Sequence, residues 1–107
     1  MSKPTNLEAI MGLIMYGGEA KGKAIEAIRE AKNGNVEEAK TLIKDAYTSL
    51  NVAHNSQTEL LTQEASGNSV ELSLLMVHGQ DHLMTAIAFI DMAKEVIDVY
   101  EKINELS

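Results

Sequence analysis

The stretch Leu72-Ser73-Leu74-Leu75-Met76-Val77-His78-Gly79-Gln80-Asp81-His82-Leu83-Met84-Thr85-Ala86-Ile87-Ala88-Phe89-Ile90 contains no proline and one glycine. Its apolar residues recur every three or four positions, the period of a helix with one buried face. At about 100° per residue, with His78 as zero, Leu72, Met76, Leu83, Ile87, Ile90 and Ile97 fall near 100–180°. A second apolar set, Leu74, Phe89, Met92 and Val96, falls near His78 itself, together with Asp81, His82 and Thr85. A helix that is apolar on two sides is buried on two sides. One face packs inside the subunit, and the other predicts self-association through this helix.

Working outward, the pattern extends the third helix from Val70 to about Asn104, with Ser69 or Asn68 as cap and Glu71 in the first turn. Before it, Glu64-Ala65-Ser66-Gly67-Asn68-Ser69 is a break. A second helix is predicted over Val36 to Gln63, with Leu42, Ile43, Ala46, Leu50, Ala53, Leu60 and Leu61 inward and Glu37 and Glu38 at its start. Asn33-Gly34-Asn35 separates it from the first. Gly34 is free to turn left-handed and Asn35 is placed to cap. The first helix is predicted from Asn6, with Thr5 or Asn6 as cap, to Lys32. Its inward residues are Leu7, Ile10, Met11, Ile14, Ile25 and Ile28. Gly17-Gly18 inside it costs roughly 1 kcal/mol per glycine relative to alanine. The pair marks either a close helix contact or an opening for a partner. Short turns between long helices give antiparallel neighbours. The fold class is therefore all-α, an antiparallel three-helix up-down-up bundle, with residues 1–107 as one domain.

Composition agrees. Hydrophobic residues are 45% of the 107 and aromatics only 4%, so the core is aliphatic and alanine-rich, which suits helices. Cysteine is absent, which excludes disulfides and thiolate metal sites. The net charge of −7 argues against nucleic acid as a partner. There is no membrane-length apolar run and no signal-like N-terminus, so the expected location is the cytoplasm, without membrane insertion.

Titratable groups on an apolar helix face are costly unless paired, ligated or used. Brought together on an oligomer seam, several copies of Asp81 need protons or a cation to neutralise them. An octahedral divalent ion with oxygen ligands, Mg²⁺ by default, serves that need. The alternative is that Asp81 accepts a hydrogen bond from His82 or Thr85 at the rim. His78 and His82, four residues apart, suit a zinc pair as well as catalysis. The metalloprotease pattern, however, has Glu after the first histidine, where Gly79 stands. Gly79 removes bulk beside His78 and opens the imidazole to a large incoming group. Neutral imidazole is a nucleophile and a reversible phosphoryl carrier, with His82 and Gln80 as orienting neighbours.

His78-Gly79-Gln80-Asp81-His82-Leu83-Met84-Thr85, preceded by Leu74-Leu75-Met76-Val77, resembles the lactose/cellobiose-type enzyme IIA of the bacterial phosphoenolpyruvate-dependent sugar phosphotransferase system. Ala53-His54-Asn55-Ser56-Gln57-Thr58, Glu64-Ala65-Ser66-Gly67, and Glu37-Glu38-Ala39 after Asn33-Gly34 extend the likeness over nearly the whole chain. The resemblance implies a homotrimer of three-helix subunits. It implies that His78 takes a phosphoryl group from phosphohistidine HPr and passes it to a cysteine of the cognate enzyme IIB, during uptake of a lactose-, cellobiose- or chitobiose-type disaccharide. It implies that Asp81 binds a divalent cation on the trimer axis. Gln80, His82, His54 and Gln57 match further family positions. A histidine phosphotransfer domain of two-component signalling is a rival, but it places Lys-Gly where Asp81 and His82 stand. A non-catalytic trimeric bundle with a polar specificity layer is a second. A di-iron bundle needs Glu-x-x-His, and no histidine here has Glu three residues before it.

Overall fold

Two glycines end two of the helices and set the topology. In a computed structural model, which describes residues 4–107, the chain forms α1 (Pro4–Lys32), α2 (Val36–Ala65) and α3 (Leu74–Leu106). Gly34, at φ +88°, follows α1, and Gly67, at φ +91°, follows α2. Around each, the same bonds close the helix. The Gly34 and Asn35 amides donate to the carbonyls of Ala31 and Glu30, at 3.0 and 2.8 Å; those of Gly67 and Asn68 donate to Glu64 and Gln63, both at 3.1 Å. This Schellman pattern satisfies the last carbonyls of a helix and calls for a left-handed residue, which glycine supplies without strain. The chain reverses twice, giving an up-down-up rod 59 × 20 × 19 Å in extent.

Helix starts differ from the sequence expectation. α1 is already helical at Pro4, so Thr5 and Asn6 lie inside it rather than capping it. Asn35 is the residue before α2, but its side chain makes no cap; its Nδ2 donates to Glu30 Oε2 at 2.8 Å instead. α3 starts four residues later than predicted. Ser73, not Ser69 or Asn68, caps it, its Oγ accepting from the Met76 amide at 3.1 Å. Glu71 therefore lies outside the helix. So does Leu72, which is 82% exposed rather than inward. The physical reason is local: extended backbone at Ser73 (φ −136°, ψ 165°) presents its hydroxyl to the third amide on.

The core follows a 3,4 alternation on every helix, interrupted on α2 only where the half-buried Gln57 takes the position between Ala53 and Leu60. It runs through Ile10, Leu13, Gly17, Ala20, Ala24, Ala27 and Ala31 on α1 and Ala39, Ile43, Ala46, Leu50, Ala53 and Leu60 on α2. On α3 it runs through Met76, Gly79, Leu83, Ala86, Ile90, Ala93 and Ile97. This is the seven-residue period of coiled coils. Small residues alternate with large ones on α2 and α3, and the α1 core positions are small throughout from Gly17 to Ala31, so backbones approach closely while Leu13, Leu83 and Ile90 fill the space between and are fully buried. Of the predicted inward sets, Ile10, Ile43, Ala46, Leu50, Ala53, Leu60, Met76, Leu83, Ile90 and Ile97 are buried, and the misses are bulky residues on the flanks, with Ile25 half-buried among them. Leu7, Met11 and Leu61 are exposed, and Ile14, Ile28, Leu42 and Ile87 are only partly buried at the edge of the core.

Two glycines sit at the α1–α3 contact. A Cβ on Gly17 would lie 3.2 Å from the His82 carbonyl carbon and oxygen; one on Gly79 would lie 3.3 Å from Leu13 and 3.4 Å from the Ile10 oxygen. Gly17 is thus a close helix contact. Gly79 is buried against α1 and does not open space beside His78, contrary to the sequence expectation. At the other end of the rod, Lys40 Nζ donates to Glu101 Oε2 at 2.8 Å and ties α2 to α3. That hydrogen bond holds the ammonium above its ordinary pKa, so the tie persists at neutral pH and is lost on alkaline deprotonation.

Gly17→Leu should lower unfolding free energy by about 1–3 kcal/mol or more, because the side chain meets backbone that cannot rotate away. Gly22→Ala, with nothing within 4 Å of its new Cβ, should raise it by about 1 kcal/mol through helix propensity. Urea titration of both variants measures the contrast.

Candidate functional site

α3 carries every residue of the predicted motif, and the inner contacts of that helix decide where each one points. Gly79 and Leu83 are buried against the bundle. His78 and Asp81, between and beside them, are exposed, and His82 is half-buried on the side of α1. Its main chain abuts Gly17, and a Cβ on Gly18 would stand 3.9 Å from its Nδ1. The two glycines leave the His82 ring lying along a bare piece of α1 backbone. The Gly17-Gly18 pair was the sequence signal for this arrangement.

The two imidazoles are brought together. His78 Nε2 and His82 Nε2 are 3.1 Å apart, with ring centroids at 4.4 Å and planes 83° to one another. At that separation one Nε2 carries the proton and the other accepts. If His82 donates, His78 Nε2 keeps its lone pair and its own proton is on Nδ1. His78 then has the form of a neutral nucleophile.

Asp81 is not held by its neighbours. The Thr85 hydroxyl donates to the Asp81 backbone carbonyl at 2.8 Å, not to its carboxylate. Among the described residues no side chain hydrogen-bonds or ion-pairs with that carboxylate. The face around it is apolar and bare. Leu74 is 87% exposed, Met92 64%, and Val77 and Met84 more than half. Phe89 and Val96 on the same side are half-buried. Among the described residues no group of three or more potential ligands gathers within one chain.

Gln80 is elsewhere. Two residues from His78, it projects to the opposite side of α3, where its Oε1 accepts from Gln57 Nε2 of α2 at 2.8 Å and its Nε2 reaches Met76 Sδ at 3.9 Å. Within one chain Gln80 does not touch His78. Gln57, by contrast, is drawn into the α2–α3 contact. His54 is exposed on α2, and its backbone carbonyl accepts from the Thr58 hydroxyl at 3.0 Å. Among the described residues no helix is long and apolar enough to cross a membrane.

The family described as "PTS system, Lactose/Cellobiose specific IIA subunit" matches residues 8–101. The chain is 49% identical over 98 residues to the lichenan-specific phosphotransferase enzyme IIA component of Bacillus subtilis, covering 92% of this chain and 89% of that one. It superimposes on the crystal structure of the PTS cellobiose-specific enzyme IIA from Bacillus anthracis with a TM-score of 0.94 at 38% identity, over 100% of this chain and 97% of the other. It also matches the IIA(chitobiose) chain solved in complex with HPr, from the N,N'-diacetylchitobiose branch of the Escherichia coli phosphotransferase system. There the TM-score is 0.79 at 36% identity, with coverage of 92% and 95%.

The Gln57–Gln80 bond is half-buried, so it should contribute measurably. A double-mutant cycle with Gln57→Ala and Gln80→Ala, read by chemical denaturation, should give a coupling of about 0.5–1.5 kcal/mol.

Proposed function

The chain belongs to the lactose/cellobiose-specific IIA family of phosphotransferase systems, and from that premise we propose that it is a phosphocarrier acting through His78. In the proposed cycle, His78 Nε2 attacks the phosphorus of phosphohistidine HPr in line. The donor N–P bond breaks with its electron pair returning to the donor ring, and a new N–P bond forms on His78. A cysteine thiolate of the cognate IIB then attacks the same phosphorus, and the pair returns to His78. The single observation that carries this reading is the exposed imidazole of His78 with His82 Nε2 at 3.1 Å. An N–H there favours the lone-pair form of His78. Once the phosphoryl group has arrived, the same N–H is positioned to hydrogen-bond one of its oxygens. Little covalent work is asked beyond positioning and charge handling. The complex of a similar IIA with HPr supports the donor. The sugar, a lactose-, cellobiose- or chitobiose-type disaccharide, is not touched by this chain in such a cycle.

The bare face of α3 supports assembly as a homotrimer through that helix. Over residues 74–90, a face with Leu74, Val77 and Met84 exposed and Asp81 as its one charged side chain is poorly suited to water. Around a threefold axis the Asp81 carboxylates would meet. Their oxygens, unpartnered within the chain, fit a hard divalent cation such as Mg²⁺. Such an ion supplies charge neutralisation at the seam. His78 is left at the seam edge, where two partner proteins can reach it in turn.

Incubation with phosphoenolpyruvate, enzyme I and HPr should add one phosphoryl group by intact mass. His78→Gln should add none, and His82→Gln should slow the addition about 10–100-fold, the size of effect usual for a partner that orients a reactive ligand. An unchanged mass for the wild-type chain would refute the proposal. Asp81→Leu should keep the trimer by sedimentation while losing the bound divalent ion, since apolar contacts replace gathered charge. Dissociation to monomers would mean that the ion, not packing, holds the seam.

A further inference from the structure

The His78–His82 pair is also a ready-made chelate, and its geometry leads beyond phosphoryl transfer. Two imidazoles one helical turn apart bring the same nitrogen, Nε2, to within 3.1 Å of one another. With metal–nitrogen bonds of about 2.0–2.1 Å, two nitrogens on one ion are about 2.8 Å apart at a right-angled bite and about 3.3 Å at a tetrahedral one. The observed separation lies between these. No other side chain competes for either ring: among the described residues, the only hydrogen-bond partner of each imidazole is the other. His78 is exposed and His82 half-exposed, and Gly18 puts no side chain over the ring. Water can therefore complete the coordination sphere.

We propose that His78 and His82 form a two-nitrogen site for a borderline divalent transition ion, of which Zn²⁺ is the representative. It is separate from the oxygen-donor position at Asp81. Ligand chemistry divides the two. Imidazole nitrogen prefers Zn²⁺, Cu²⁺ or Ni²⁺, whereas a carboxylate takes Mg²⁺ equally well. Binding needs both Nε2 lone pairs, so the shared proton moves to Nδ1 of the ring that carried it, and neutral charge on both rings is kept. The metal then occupies the lone pair that a phosphoryl group requires. Zinc and phosphoryl acceptance are mutually exclusive, a consequence that rests on the function proposed above, while the site itself does not.

Isothermal titration of the tag-free chain with ZnCl₂, in excess MgCl₂ to fill oxygen sites, tests the site directly. One zinc per chain should bind the wild type. His78→Gln and His82→Gln should each weaken that binding at least about tenfold, the loss of one of two ligands, while His54→Gln should leave it unchanged. Equal zinc affinity in wild type and His82→Gln, or loss on His54→Gln, would overturn the proposal. A separate single-turnover reaction with purified phospho-HPr should show phosphoryl uptake falling as zinc saturates. Uptake unaffected at saturating zinc would overturn the exclusion. Absence of uptake in zinc-free protein would instead count against the phosphocarrier reading and leave the titration standing.

Discussion

Everything at the reactive end of this molecule depends on how closely α1 and α3 approach. The contact of Gly17 with the His82 carbonyl, and of Gly79 with Leu13, allows almost no separation between the two backbones. Side chains of ordinary size at either position would push the helices apart. With the helices this close, His82 lies along α1 and its rotation about the α3 axis is fixed. His78, one turn earlier, is then carried outward, and the two Nε2 atoms meet at the groove edge. The imidazole pair is thus a downstream product of packing. No hydrogen bond from a third residue is needed to aim it.

That dependence explains what could and could not be read from the chain. The three helices, both reversals and the left-handed Gly34 were legible, because they rest on short-range chemistry. So was the pairing of His78 with His82, since residues four apart share a helix face. The inner faces were harder. Large apolar residues attract attention, yet at Leu7, Met11 and Leu61 they are exposed, and the true seam runs through Ala20, Ala24, Ala27 and Ala31. Alanine carries little hydrophobic signal by size. Its information lies in strict spacing, and only the 3,4 alternation shared by all three helices exposes it. Gly79 misled for the same reason. A glycine beside a functional histidine reads as open space, whereas here it is filled by Leu13 from another helix.

The cap of α3 shows a different limit. Apolar periodicity reaches back to Leu72, so the sequence points to Asn68 or Ser69 as the cap and passes over Ser73. The Schellman closure of α2 consumes Gly67 and Asn68 in ending that helix, so the chain needs several residues before it can enter the next. Ser73 is the cap that remains once that turn is complete. Gln80 shows the converse case. Proximity in sequence to His78 suggested a shared site, but two residues on a helix are nearly opposite one another, and Gln57 claims its amide.

α3 must satisfy two incompatible environments on one surface. Its inner alternation is apolar and complete, and over residues 74–90 its outer face combines Leu74, Val77 and Met84 with Asp81 as the single carboxylate. Were this part of the face meant for water, it would carry more charge, as α2 does with Lys44, Asp45 and Glu59. Were it meant only for packing, Asp81 would be a cost with no return, since desolvating an unpaired carboxylate outweighs the gain from its apolar neighbours. Both features make sense together if the face is covered by copies of itself and the carboxylates share a counter-ion. The nitrogen pair lies on the flank of that same helix, nearer to α1. Oxygen and nitrogen donors are therefore separated by rotation about one axis, the carboxylate on the bare outer face and the imidazole pair on the flank beside α1.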